Sequence, residues 1–156
     1  MVLLEYLQSI EIDKNLKVLE LGCGIGVLSI SLRALGFGNV IASDLEEIIK
    51  VTEKNSELNE VNLETRVLDW NFPEYIECDL VLFADCVWIM QLVQPLVKTL
   101  RLLIRNGRRC IGCYKIRSRL VHEEFLKGIS ENLMQLGVVY EDGDFCVAVI
   151  EDLNQS

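Results

Sequence analysis

The sequence predicts an α/β fold, namely a doubly wound, mostly parallel seven-stranded sheet with an antiparallel C-terminal hairpin strand. Helical and extended patterns alternate along all 156 residues, a length that fits one domain, 1–156, with its own core. The composition is 51% apolar and 25% charged, which is typical of a globular protein. Repeated strand–helix units require right-handed crossovers, and these give a parallel sheet that is covered on both faces.

Five extended runs predict the first five strands, at 17–21, 40–43, 63–68, 79–84 and 110–115, of which the first reads as buried and the fourth as continuously apolar. Apolar residues at helical spacing predict five helices. One lies near the N-terminus, and the other four follow strands, from Val27 to Gly36, over 45–58, from Pro95 to Asn106–Gly107 and over 118–136. We expect Val27 and Leu45 to face the sheet and Pro95 to lie in a first turn. Two final extended runs around Asp142–Gly143 predict a hairpin.

The net charge of −9 argues against a nucleic-acid partner, because phosphate would be repelled, and it allows a cationic one. Residues 1–13 carry no basic, signal-like start, and Asp79 and Asp85 interrupt the longest apolar stretch. We therefore expect no membrane association and a cytoplasmic protein, with a nuclear location left open.

The six cysteines form no evenly spaced framework, so reduced thiols are expected. Cys110 and Cys113 form a CxxC pair, but on a strand two residues at this spacing point to opposite faces. His122 is the single histidine and is expected on a solvated helix face. We predict no metal site.

The segment VLELGCGIGVLSI joins the first strand to a helix through Gly22, Gly24 and Gly26. Such a turn brings bare main chain and a helix N-terminus against a ligand. A dinucleotide fingerprint would require glycine where Val27 stands, and no phosphate-loop GK[ST] is present. Asp44 ends the second strand, where a carboxylate either binds ribose hydroxyls or caps the next helix.

These features together predict an adenosine ligand without pyrophosphate, and S-adenosylmethionine (SAM) fits that description. Its methionyl carboxylate can accept hydrogen bonds from main-chain N–H groups. Glu20 can help to place its charged end.

Four motifs in order, VLELGCGIG, VIASD, LDW and DLVLFADCVW followed by PLVKTL, resemble the seven-strand (class I, Rossmann-like) SAM-dependent methyltransferases, in particular the family-16 protein-lysine methyltransferases. The resemblance implies SAM as the cofactor and a set of residues beside it. These residues are Glu20, Gly22, Cys23, Gly24, Gly26, Asp44, Leu45, Asp69, Trp70 and Ala84. Trp70 offers a flat apolar wall for adenine, and its alternative role is that of a core aromatic.

The family signature Asp-x-x-Tyr corresponds here to Asp85, Cys86, Val87 and Trp88. Methyl transfer is an in-line displacement, so the acceptor nitrogen needs a fixed approach and a free lone pair. Asp85 can hold and orient an incoming amine, and the Trp88 face can attract its cationic form. The tryptophan lacks the phenolic oxygen of the family residue. In the alternative interpretation, Asp85 caps the next helix and Trp88 packs against it.

The resemblance implies a protein-lysine N-methyltransferase whose partner is a protein with an accessible lysine, and the acidic surface favours a basic target. Two alternatives stay open at this point, methylation of a small molecule or another nitrogen, and a degenerate SAM-binding scaffold. Family members carry an N-terminal segment that this chain is expected to lack. The sequence predicts neither the target, the degree of methylation nor the oligomeric state.

Overall fold

The computed structural model of the protein describes residues 2–154, which form one seven-stranded sheet with helices on both faces. The strands are β1 (Lys17–Leu21), β2 (Asn39–Asp44), β3 (Glu64–Val67), β4 (Leu80–Ala84), β5 (Arg109–Lys115), β6 (Met134–Asp142) and β7 (Phe145–Asp152). The helices are α1 (Val2–Ser9), α2 (Val27–Ala34), α3 (Glu46–Leu58), α4 (Met90–Leu103) and α5 (Arg119–Glu131). The predicted fold class is confirmed.

The strands lie in the order β3-β2-β1-β4-β5-β7-β6. The first five are parallel, whereas β7 runs antiparallel to both β5 and β6. The chain moves outward from β1 to β3 and then returns to place β4 on the other side of β1. The carboxyl ends of β1 and β4 therefore flank the point where the strand order reverses, which is where sheets of this kind bind ligands.

The residues of β1 alternate between the two faces of the sheet, as the period of an extended chain requires. Leu19 packs in a buried cluster with residues of α4 and α5, whereas Val18 packs with residues of α1 and α2. Both side chains are completely buried. The two clusters form the core on either side of the sheet, and this rigid centre fixes the residues that follow β1 and β4.

The CxxC pair behaves as the strand prediction states. Cys110 belongs to the cluster under α4 and α5, and Cys113 belongs to the cluster under α1 and α2. All six cysteines are free thiols. His122 is only half-exposed, and its Nδ1 lies 3.3 Å from the hydroxyl of Tyr114, so the prediction of a solvated position is only partly correct.

The placement of Pro95 in a first turn is wrong, because α4 begins at Met90 and Pro95 lies inside the helix. Val93 and Leu96 are both buried, so the apolar helical pattern continues across the proline. The hydroxyl of Thr99 donates to the Pro95 carbonyl at 2.9 Å. The stabilisation from packing of this apolar face outweighs the loss of the backbone hydrogen bond that proline cannot donate.

The predicted helix over 118–136 is also wrong at its C-terminal end, since α5 ends at Glu131 and β6 begins at Met134. Leu133 takes a left-handed conformation with φ 56° without being glycine or asparagine. The Asn132 amide caps the preceding turn by donating to the Gly128 carbonyl at 2.9 Å. The hairpin is confirmed, but its two turn residues are Gly143 and Asp144.

Val27 and Leu45 do not face the sheet as expected, because their exposed fractions are 49% and 41%. Leu45 directly follows β2, and Val27 follows β1 after the glycine turn. Both therefore lie at the carboxyl ends of the strands. Within residues 2–154, none of the helices combines the length and the apolar character that a membrane crossing requires.

Candidate cofactor and transfer site

Two adjoining cavities lie at the carboxyl ends of the parallel strands. The first, which we name the Trp70 cavity, measures about 400 Å³ and is lined by residues that include Asp44, Leu45, Asp69, Trp70 and Trp88. The second, the Glu20 cavity, measures about 560 Å³ and is lined by residues that include Glu20, Cys23, Ile25, Val27 and Phe145. Four residues border both cavities, namely Gly22, Gly24, Ala84 and Asp85.

A larger hollow of about 670 Å³ lies near the C-terminal end of α1 and is lined by Leu7, Ile10, Lys14 and Phe37 among others. It borders the residues that precede β1 and follow α2, at the amino ends of the strands. No residue that the sequence analysis predicts for the site lies there. The strand ends that carry the predicted residues therefore identify the Trp70 and Glu20 cavities as the candidate site.

The three glycines of the β1–α2 turn are required for different reasons, although all have positive φ. A Cβ on Gly22 would lie 2.8 Å from the Cys86 sulfur, and one on Gly26 would lie 2.9 Å from Cγ2 of Thr52. A Cβ on Gly24 would meet nothing within 4 Å. Close packing explains why residues 22 and 26 must be glycine. Of the three, only Gly24 presents main chain to open space, where a ligand can approach it.

The amide groups of this turn mostly have partners within the protein. Cys23 N–H donates to the Ser43 carbonyl at 3.0 Å, and Gly26 N–H donates to the Cys23 carbonyl at 2.9 Å. Gly24 N–H donates to Oδ2 of Asp44 at 2.9 Å. These three amides have partners within the protein and are therefore not free for a ligand carboxylate. For them, the expectation that main-chain N–H groups bind the methionyl carboxylate is wrong.

Asp44 connects the end of β2 to the glycine turn. Its Oδ2 accepts from Gly24, and its Oδ1 accepts from the N–H of Leu45 at 2.8 Å. The N-cap residue of α3 is Leu45, whose side chain makes no capping bond, so the alternative in which Asp44 caps this helix is wrong. The carboxylate borders the Trp70 cavity, and each of its oxygens keeps a lone pair for a further donor.

Glu20 is a carboxyl group buried beside the Glu20 cavity, with 2% of its surface exposed. Its Oε2 accepts from the backbone N–H of Ser29 at 3.0 Å and from the Ser29 hydroxyl. Burial raises the pKa of Glu20 to about 7, against the lowering effect of these hydrogen bonds. A cation in this cavity would favour the ionised form, so the site fits a ligand ammonium.

Trp70 lies between the core and the cavity, so its position agrees with the core role and leaves the adenine role open. Its ring packs against the core cluster under α4 and α5 and at the same time lines the Trp70 cavity. The carboxylate of Asp69 accepts from the backbone and side-chain nitrogens of Asn71, both at 2.9 Å, which fixes the turn that follows β3. This turn and the core contact together hold the indole ring at the cavity wall.

Asp85 follows β4 in a strained conformation, with φ 62° in a residue that is not glycine. Its N–H donates to the Cys113 carbonyl at 2.6 Å, which ties the bend to β5. Strain of this kind is concentrated at functional sites. Because α4 begins five residues later with Ile89 as its N-cap residue, Asp85 does not cap that helix, and this alternative is wrong.

Both carboxylate oxygens of Asp85 are bound by Arg117, a residue that the sequence analysis did not identify. Its Nη2 lies 2.7 Å from Oδ2, and its Nη1 contacts Oδ1. The guanidinium lowers the pKa of Asp85 from its usual value. Arg117 lies two residues beyond the end of β5, and this nearness to a strand end is the signal that could have drawn attention to it.

Trp88 lies between β4 and α4, and its exposed fraction is 55%. Its ring lines the Trp70 cavity, in which Asp85 is also a lining residue. This exposure contradicts the alternative in which Trp88 is packed against the following helix. The indole therefore presents an accessible aromatic face in the cavity that Asp85 also lines.

Two thiols border the site without being suited to nucleophilic chemistry. Burial raises the pKa of Cys23 to about 12 and raises that of Cys86 well above its usual value. Both therefore stay protonated near neutral pH, and thiols rather than thiolates are poor nucleophiles. Cys86 instead closes the space beside Gly22.

The structure thus brings together nine of the twelve predicted site residues at the boundary of the Trp70 cavity, and Glu20 and Cys23 border the adjoining Glu20 cavity. The remaining residue, Gly26, borders neither cavity in the part of the chain that the structure describes, and it packs against Thr52 and Ile30. Ile48 and Leu92 line the Trp70 cavity without having been predicted. Their apolar side chains gave no signal that separates a cavity wall from the core.

A comparison with known proteins places this geometry in context. Residues 1–132 match the family described as lysine methyltransferase. Ribosomal protein L11 methyltransferase of Caldicellulosiruptor saccharolyticus is 27% identical over 139 residues, which cover 88% of this chain and 44% of that protein. The chain therefore spans less than half the length of this relative.

Solved structures show the same fold. A ribosomal protein L11 methylase from Lactobacillus delbrueckii subsp. bulgaricus superposes with a TM-score of 0.69 at 19% identity, over 93% of this chain and 73% of the other. Magnesium protoporphyrin IX methyltransferase from Synechocystis PCC 6803, with bound SAM, gives 0.65 at 18% identity, over 88% and 70%.

The Rossmann-like methyltransferase fold is confirmed by these structures, and the same comparisons support SAM as the cofactor. The family match extends from the start of the chain to the residue after α5, and so it includes every predicted site residue. The chain belongs to the lysine methyltransferase family.

Proposed function

We propose that this protein is a SAM-dependent methyltransferase that transfers a methyl group to a lysine side-chain amine of a protein. The observation that carries the proposal is the placement of Glu20, Asp44 and Asp85 at the ends of β1, β2 and β4, around two cavities that share a wall. The family match and the fold support it.

The residues of the site fit SAM in charge and shape. The Asp44 carboxylate is available to ribose hydroxyls, and the Trp70 indole to adenine. Glu20 is available to the methionyl ammonium, and the open side of Gly24 leaves room for main-chain approach. When bound, SAM supplies a methyl group activated by a sulfonium.

Asp85 is suited to orienting the acceptor rather than to removing its proton. The ion pair with Arg117 lowers the pKa of this carboxyl, and a weaker base accepts a proton less readily. A hydrogen bond from the acceptor N–H to Asp85 would still direct the nitrogen lone pair into the cavity. The Trp88 face, which lines the same cavity, can attract the cationic amine before its proton is lost to solvent.

The net charge of −9 favours a basic protein as the acceptor. The relative from Caldicellulosiruptor saccharolyticus carries the name of a methyltransferase that acts on a ribosomal protein, which is consistent with a protein acceptor here. Because that relative is named for action on a ribosomal protein, we also propose a cytoplasmic location.

Calorimetric titration with SAM tests the cofactor. We expect the wild-type protein to bind and Asp44→Ala to bind at least about tenfold more weakly, because a carboxylate bonded to ribose contributes more than about 1.4 kcal/mol. Asp79→Ala is the matched control, since Oδ2 of Asp79 accepts the N–H of Lys17, the first residue of β1, at 2.8 Å and so lies at the amino ends of the strands. A folded wild-type protein that gives no binding heat would overturn the enzyme proposal.

Incubation of a cell extract with SAM labelled in its methyl group tests the acceptor. Labelled protein that yields methyl-lysine on hydrolysis is the expected result. Label found in small metabolites alone, or in a residue other than lysine, would contradict the lysine assignment and leave the cofactor result intact.

A further inference from the structure

Two side chains of α3 hold the carbonyl groups of the glycine turn. The Thr52 hydroxyl lies 2.7 Å from the Gly24 carbonyl oxygen, and the Asn55 amide nitrogen lies 2.8 Å from the Ile25 carbonyl oxygen. The Gly24 N–H is bonded to Asp44. Both backbone polar groups of Gly24 are therefore fixed by side chains, the N–H by Asp44 at the end of β2 and the carbonyl by Thr52 of α3.

The single hydroxyl hydrogen of Thr52 can be assigned to Gly24. Other neighbours of the oxygen are the Ile48 carbonyl at 3.3 Å and the Cys23 sulfur at 3.4 Å. The distance to Gly24 is the shortest of the three. The thiol of Cys23 stays protonated, so its hydrogen can be donated to the Thr52 oxygen while Thr52 donates to Gly24.

Thr52 also packs against the turn through its methyl group, whose Cγ2 would lie 2.9 Å from a Cβ on Gly26. Its side chain is completely buried. A turn with three glycines has many accessible backbone conformations, and ordering it on ligand binding costs free energy. Contacts that fix the turn in advance reduce that cost, so they strengthen binding without touching the ligand.

We propose that Thr52 and Asn55 are positioning residues for the cofactor, which hold the glycine turn in the conformation that receives SAM. Neither residue lines the Trp70 or the Glu20 cavity in the described part of the chain. Their effect on binding therefore passes through Gly24 and Ile25. This inference rests on the cofactor site of the proposed function.

Calorimetric SAM titration of two Thr52 variants tests the proposal. Thr52→Val keeps the buried methyl group and removes the hydroxyl, so we expect about tenfold weaker binding. Thr52→Ser keeps the hydroxyl and should bind within about threefold of the wild type. Thr99→Val is the matched control, because Thr99 is equally buried and donates to a carbonyl within α4, which packs on the opposite face of the sheet.

Hydrogen exchange of the ligand-free protein gives a readout that does not depend on SAM. We expect Thr52→Val to speed exchange of the hydrogen-bonded Gly24 and Gly26 amides while the amides of β1 exchange at the wild-type rate. Thr99→Val should leave the turn unchanged. Should Thr52→Val not fold, Asn55→Ala provides the same test from a half-exposed position, with about threefold weaker binding expected.

Equal SAM affinity in the wild type and Thr52→Val, or equal loss in Thr52→Val and Thr99→Val, would overturn the inference and leave the proposed function standing. A folded wild-type protein that binds no SAM would overturn both.

Discussion

Arg117 binds both carboxylate oxygens of Asp85, and this ion pair joins the loop after β4 to the loop after β5 at the rim of both cavities. A planar guanidinium that bonds both oxygens fixes the orientation of the carboxylate as well as its charge. The side chains of the two residues are almost half exposed, so the pair contributes less than about 1 kcal/mol to stability. Its effect is expected on methyl transfer.

We expect Arg117→Ala to lower the rate of methyl transfer by about 10- to 100-fold, because small displacements of an orienting group cost that much. SAM affinity should change by less than about twofold. Steady-state kinetics with labelled SAM and the acceptor protein measure the first quantity, and calorimetry measures the second. Arg119→Ala is the control, since Arg119 pairs with Glu123 on the surface of α5. Wild-type transfer by Arg117→Ala would show that Asp85 needs no such support.

Trp88→Ala should keep SAM binding and transfer the methyl group more slowly. A cation–π contact of about 0.5–2 kcal/mol corresponds to a decrease of about 2- to 30-fold in transfer efficiency. Trp88→Phe restores an aromatic face and should recover part of the activity. Phe72→Ala controls for removal of an exposed ring, because Phe72 is 77% exposed and is not among the lining residues of the Trp70 cavity. Unchanged transfer in Trp88→Ala would remove Trp88 from the site.

Stability of the ligand-free protein should depend on pH through Glu20. The pKa of this carboxyl is about 7 in the folded protein and 4.5 as the reference value. The folded state therefore binds the proton more tightly, and the resulting stability is complete below pH 4.5 and lost as the pH rises through 7.

Between these limits the wild-type protein should lose about 3 kcal/mol of unfolding free energy relative to Glu20→Gln. Urea unfolding of both proteins at a series of pH values measures the difference. Ser29→Ala removes a hydroxyl that lowers the pKa of Glu20, so it should move the transition to higher pH. Parallel pH profiles of the wild type and Glu20→Gln would contradict the assignment.

Gly24→Ala and Gly26→Ala should separate ligand binding from packing. Both substitutions place a side chain at positive φ, which costs about 1–2 kcal/mol. Gly26→Ala also forces its Cβ to 2.9 Å from Thr52, so it should lower the melting temperature more. Gly24→Ala meets no protein atom within 4 Å and should instead weaken SAM binding more than its loss of stability accounts for. The reverse order of these effects would contradict our account of the turn.

The sequence predicted the positions of candidate site residues well where a side chain lies at the end of a strand or directly after it. Asp44 and Asp85 lie where the strand-end rule places them, because the carboxyl ends of parallel strands meet at one edge of the sheet. Arg117 was missed because its role depends on the left-handed bend at Asp85, which turns this carboxylate toward the next loop. Local residue patterns contain no information on such a bend in a residue other than glycine.

The two errors in helix boundaries also have physical causes. A proline normally marks the start of a helix. Here the buried apolar face from Val93 to Leu100 stabilises α4 on both sides of Pro95. The end of α5 lacks the usual glycine, and Leu133 adopts positive φ so that Met134 can enter β6. In both places tertiary packing outweighs the local preference of a single residue.

The position of β7 between β5 and β6 has a consequence for synthesis of the chain. β6 leaves the ribosome first, yet its paired neighbour in the sheet is β7 and not β5, so it has no strand to join until β7 emerges. Val147, Ala148 and Ile150 complete the core from that strand. A nascent chain that stalls before β7 therefore exposes the unpaired edge of β5, a surface that chaperones and neighbouring chains can bind.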